Sequence, residues 1–196
     1  MIKLNLEIDD EKRKFSIPES WDEVTVDIFS NIWKIDRDNL TDIEITVAVI
    51  GLLTSIDEDS LYMMSPDDFN RVAELIQFTN TDVKGKQVDS IVIDGDEYFL
   101  KNDFNKLSMG EVISLELLIE KSDGNMGSIM PEMLCIFLRK KKDNGKLETF
   151  KNSFMDRAEM FKGVSITEVN DIFLFFSDGE NSSTVNMKES LEKEKK

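Results

Sequence analysis

The chain has 196 residues, with 40 Asp and Glu against 24 Lys and Arg, a formal net charge of -16, no histidine and one cysteine. Without histidine there is no Ser-His-Asp triad, no Cys-His pair and no imidazole base poised near neutral pH. Zinc sites built on Cys and His are also excluded, and a lone thiol cannot close an internal disulfide. The length allows one large or two small domains, and 13 Phe and 10 Met among 40% hydrophobic residues suffice for a packed core. The acidity is uneven: residues 1–60 hold 15 Asp or Glu and 6 Lys or Arg, a net of -9. Such a field repels nucleic-acid phosphates.

In chain order, Lys3 to Glu7 alternates and predicts a strand, paired with Lys12 to Ile17 across Asp9-Asp10-Glu11. Pro18 ends the hairpin because it has no amide hydrogen to donate. Thr25 caps an expected helix from Val26 to about Arg37, with Phe29, Ile32 and Trp33 on its apolar stripe. Thr41 and Glu44 stand at capping-box spacing and open a second helix through Leu53. Ser65-Pro66-Asp67-Asp68 supplies a cap, a first-turn proline and first-turn acids, starting a third helix to about Phe78.

The pattern then begins again. Val88 to Ile93 and Tyr98 to Lys101 flank Asp94-Gly95, a dipeptide suited to a tight hairpin. Ser108 and Glu111 form another capping box, ahead of Val112, Leu115, Leu118 and Ile119. Pro131 opens a helix carrying Leu134, Phe137 and Leu138, read as ending in Arg139-Lys140-Lys141-Lys142, where a helix C-terminus favours cations, before an Asn144-Gly145 turn. Ser165 and Glu168 give a last box before Val169, Ile172, Phe173 and Phe176.

The expected fold is therefore α+β and mainly helical, in two similar hairpin-plus-three-helix halves. Residues 1–80 form the first and 81–176 the second, followed by a mobile tail over 177–196. The longest dense apolar run, Ile43 to Leu53, has 11 residues. A membrane helix needs about 20, so no span is expected. The first residues lack the apolar core of a signal peptide, which leads to an expectation of cytoplasmic synthesis.

No catalytic constellation is singled out. Asp36-x-Asp38 lacks the glycine and glutamate of a calcium loop, and Gly124-Asn125-Met126-Gly127 lacks the Lys-Ser/Thr of a phosphate loop and reads as a flexible connection. Cys135 lies within an apolar helix and reads as a buried thiol. No metal, no cofactor and no enzymatic activity are expected. The candidate partner contacts are Trp21, as an interface anchor or a core residue, and the basic run Arg139, Lys140, Lys141 and Lys142, as contacts or as a helix cap.

Ile17-Pro18-Glu19-Ser20-Trp21-Asp22-Glu23-Val24-Thr25-Val26-Asp27-Ile28-Phe29 resembles a segment near the start of small acidic proteins from the structural-gene blocks of tailed bacteriophages, crass-like phages of gut bacteria among them. Asp103-Phe104-Asn105-Lys106-Leu107-Ser108-Met109-Gly110-Glu111 and Ile172-Phe173-Leu174-Phe175-Phe176 are similar to the same kind of protein. The resemblance implies a virion component near the portal, neck or tail, a protein packaged for ejection, or a tail-assembly chaperone. Its partners would be portal, tail or neck proteins and other copies of itself. It would reside in the host cytoplasm during assembly and then in the virion. It fixes no functional residue. A different reading of the charge is an acidic DNA mimic that inhibits a basic protein.

Overall fold

A computed structural model describes residues 1–8, 11–86, 88–101 and 107–170. Its first element, β1 (Ile2–Ile8), buries Leu4, Leu6 and Ile8 and turns Lys3, Asn5 and Glu7 outward, as a period of two dictates for a half-covered strand. It pairs antiparallel with β2 (Glu11–Ile17) in the register Leu4↔Phe15 and Leu6↔Arg13. The Asp9-Asp10 connection lies outside the described residues, as do the 177–196 tail, the Ile172–Phe176 segment and Asp103–Lys106.

Helix α1 (Val26–Trp33) starts at the expected Thr25, whose hydroxyl accepts from the Ile28 amide at 3.4 Å. It stops at Trp33, one turn short of the sequence expectation. Residues 162–166 clamp its entry: the Val26 amide donates to the Val164 carbonyl at 2.8 Å, and the Ile166 amide to that of Val24 at 3.0 Å. Helix α2 (Asp42–Thr54) opens on the full Thr41–Glu44 capping box. A five-residue helix, α3 (Glu58–Tyr62), follows under an Asp57 cap and is absent from the sequence reading. Helix α4 (Pro66–Leu75) begins at Ser65 and Pro66 as expected, but gives way after Leu75 to a 3₁₀ turn over Gln77–Asn80.

Strands β3 (Ser90–Ile93) and β4 (Asp96–Leu100) flank Asp94 and Gly95 at φ +52° and +83°. Two left-handed residues in succession are what the tightest hairpin turn requires, and Asp-Gly supplies them at low steric cost. Helix α5 (Met109–Lys121) begins on the Ser108–Glu111 box. A 3₁₀ turn, Met126–Ile129, leads into α6 (Met130–Phe137), in which every residue but Glu132 is buried. An apolar surface all round marks a helix surrounded by protein. Accordingly α6 packs on α1, α5 and the Asn152–Arg157 turn, with α7 (Ala158–Phe161) alongside.

The end of α6 corrects the sequence reading. Helix geometry stops at Phe137, and Leu138–Arg139 become β5, which pairs antiparallel with β4 to give the sheet order β3-β4-β5. The chain then folds back through the expected Asn144-Gly145 turn, bridging Lys141 to Leu147. The basic run is therefore a strand and hairpin arm and not a helix C-terminus. Strand geometry sends neighbouring side chains to opposite sides, so the four cations part company.

The molecule is α+β, with a two-stranded and a three-stranded sheet among the described residues. One continuous set of buried side chains runs from Leu4 to Val169 and includes elements from both ends of the chain. No helix among the described residues is long and apolar enough to cross a membrane.

Candidate functional site

A cleft of about 990 Å³ opens where the end of α1 and its following loop face residues 79–83, Asp123–Asn125 and Asn170. Its floor is aromatic. Trp21 is 8% exposed and meets Phe29 and Phe78 edge to face, at centroid distances of 5.7 and 5.4 Å. The Trp21 indole Nε1 donates to the Thr81 carbonyl at 2.9 Å, which satisfies its polar edge. Of the two sequence readings for Trp21, the structure places it in the core and in the cleft wall. Trp33, expected on the inner stripe of α1, is 42% exposed and stands 5.9 Å from Phe29, ring to ring.

Trp33 is held at its base. Its carbonyl accepts from Asn125 Nδ2 at 2.6 Å, and Asn125 Oδ1 accepts from the Ser128 amide at 3.2 Å, joining α1 to the Met126–Ile129 turn. Gly127 lies flat against the indole: a Cβ built there would sit 2.3 Å from Trp33 Cγ and Cδ2. The segment expected to be a flexible connection is thus a close-packed support for one wall of the cleft.

Four carboxylates stand around the cleft, on Asp36, Asp38, Asp82 and Asp123, against the cations Lys34 and Arg37. No ion pair within the described residues neutralises the four acids. Asn170 is 1% exposed and donates through Nδ2 to the Val83 carbonyl at 2.8 Å, while its Oδ1 has no hydrogen-bond partner among the described residues. A buried acceptor left unmet costs about 1–3 kcal/mol, so the wall offers an unused acceptor. The exposed Trp33 ring, with carboxylates and an unmet carbonyl near it, favours ammonium or guanidinium groups.

The basic run lies elsewhere and is largely occupied internally. Arg139, 3% exposed, pairs with the buried carboxylate of Glu111 and donates to the carbonyls of Glu148 at 3.1 Å and Ile136 at 2.5 Å. Its guanidinium also lies over Phe150 at 5.1 Å and Phe154 at 5.7 Å. Lys101 reaches the same carboxylate at 2.8 and 2.9 Å. Burial by itself would raise the Glu111 carboxyl, but hydrogen bonds from Lys101, Ser108 and Arg139 outweigh it and hold the pKa down at about 2. Lys140 pairs with Asp96, Lys141 Nζ stands 3.4 Å above the Phe99 ring, and Lys142 donates to the Thr149 hydroxyl at 3.3 Å. The structure does not bring this run to Trp21.

Cys135 is fully buried, with its thiol donating to the Pro131 carbonyl at 3.4 Å. Burial, and then the nearby Glu132, push the thiol up to about 12. Among the described residues no three His, Cys, Asp or Glu side chains gather as metal ligands. The cleft had no sequence signal of its own. Its floor comes partly from helix periodicity, but its rim is assembled from three separate segments, 34–38, 79–83 and 123–125, with Asn170 beside them. Comparison with protein-family models, curated proteins and solved structures finds no match to this chain.

Proposed function

We propose that the protein is a non-enzymatic virion component of a tailed bacteriophage, placed at the portal, neck or tail as structure or as cargo ejected with the genome. The reading begins with the resemblance of Ile17–Phe29 to small acidic phage proteins. The observation that carries it furthest is the cleft, which has an aromatic floor and, among the described residues, four carboxylates free of ion pairs and a buried acceptor without a partner. These features suit a basic segment of a neighbouring protein better than a small reacting molecule. The partners proposed are portal, tail or neck proteins and further copies of the chain. The charge of -16 argues against a grip on nucleic acid. The likeness of the two hairpin-plus-helices halves is proposed as a device for presenting two neighbours with related surfaces.

Sedimentation of phage-infected lysates through a density gradient tests this reading. The protein is expected in the band of complete particles, at many copies. Recovery with assembly intermediates alone would replace the reading with that of a tail-assembly chaperone. Recovery only in a complex with a basic host protein, dissolved by about 0.5 M salt, would replace it with that of an acidic inhibitor, since exposed charges are screened to a few Å there.

A further inference from the structure

Helix α5 carries apolar residues on two faces. Leu115 and Leu118 face the core, with Val112 and Ile119 half-buried beside them. On the other side Met109, Ile113 and Leu117 are 71, 49 and 60% exposed. They recur every four residues and so form one ridge, about 12 Å long at the helical rise. A surface helix ordinarily keeps a single apolar stripe, and a second one, rimmed by charge, marks a contact surface.

The rim decides the occupant. Glu116 and Glu120 stand on the exposed side, one turn apart, next to Leu117. Neither is in an ion pair within the described residues. On the buried side the only α5 carboxylate, Glu111, is already matched by Lys101 and Arg139. The outer face is therefore apolar along its ridge, with Glu116 and Glu120 along one border and the exposed Lys121 closing its C-terminal end, so acids outnumber cations around it two to one.

We infer that the outer face of α5 docks an amphipathic helix of a partner protein, with apolar anchors four residues apart and Lys or Arg beside them. Its apolar anchors lie along Met109, Ile113 and Leu117, and its cations meet Glu116 and Glu120. Methionine at one end of the ridge lets the surface adapt to its partner. A second copy of this chain fits less well, because two molecules of charge -16 repel each other. This inference deepens the reading as an interaction protein by giving a partner's chemistry, and does not depend on the particle being a phage.

The test uses the full chain and two labelled synthetic helical peptides. Both carry Leu at four-residue spacing; one has Lys beside each Leu and the other has Glu. Fluorescence anisotropy should show binding of the Lys peptide. Leu117→Asp should weaken it at least tenfold with the thermal unfolding curve unchanged, since the side chain is exposed. The pair Glu116→Lys and Glu120→Lys should reverse the preference and admit the Glu peptide. No binding of the Lys peptide, equal binding of both peptides, or an affinity indifferent to Leu117→Asp would overturn the proposal. So would a wild-type dimer in light scattering that Leu117→Asp dissociates, because a second copy would then be the occupant. None of these results bears on sedimentation with particles, so failure here leaves the proposed function standing.

Discussion

Replacing Glu111 by Gln keeps the size of the side chain and removes its charge. Arg139, 3% exposed at its side chain, would then sit buried without its counter-ion, with Lys101 left facing a neutral amide. Two independent routes give the cost. The drop in the Glu111 pKa from an ordinary 4.5 to about 2 corresponds to about 3 kcal/mol of folding stability. Breaking a buried pair by removing one partner typically costs about 3–5 kcal/mol. For a urea slope of about 2 kcal/mol/M, the unfolding midpoint should fall by about 1.5 M. The sign with pH follows from a folded pKa below the unfolded one. The contribution is complete above about pH 5 and drains as pH falls from about 4.5 toward 2, so wild type and Glu111→Gln should converge in acid. A cycle with Arg139→Met and the double variant should show coupling above about 2 kcal/mol, since the two residues share one hydrogen-bonded site. A Glu111→Gln loss under about 0.5 kcal/mol at pH 7, or a gap that persists unchanged to pH 2, would refute the reasoning.

The packing of Gly127 against Trp33 predicts that Gly127→Ala displaces the indole, costs about 1–3 kcal/mol and shifts the tryptophan emission; in a Trp33→Ala background the same substitution should cost much less. The fully buried Cys135, its thiol raised to about 12, should resist a thiol reagent at pH 8 in the native state and label completely in denaturing urea; fast native labelling would contradict the burial. Thr41→Ala removes one half of a capping box and should lower the urea-derived stability by about 0.5–2 kcal/mol, whereas Thr46→Ala, inside the same helix and away from its cap, should cost less.

What was legible in the sequence was local. The Thr41–Glu44 and Ser108–Glu111 boxes, the Ser65-Pro66 start and the Asp94-Gly95 turn are each decided by residues within four positions, and each forms as expected. The misread places depend on distant partners. Arg139-Lys140-Lys141-Lys142 follows a helix and looks like a helix cap, but Leu138 and Arg139 find the open edge of β4, some 40 positions earlier, and become a strand. Glu111 reads as the far half of a capping box, which it is. Its second role, as the counter-ion of Arg139, spans 28 positions and leaves no local trace. The acidic Asp57-Glu58-Asp59 reads as a turn because a five-residue helix has too few apolar positions to show a period. The cleft was illegible for the same reason, since its rim carboxylates come from loops whose proximity is set by how α1 closes on residues 79–83 and 123–125.

Electron cryomicroscopy of the native particle tests the central proposal most directly. Ordered copies of this fold are expected at the portal, neck or tail, with a basic segment of a neighbour lying in the Trp21–Trp33 cleft. Complete, infectious particles with no density for the chain at any of these places would contradict it.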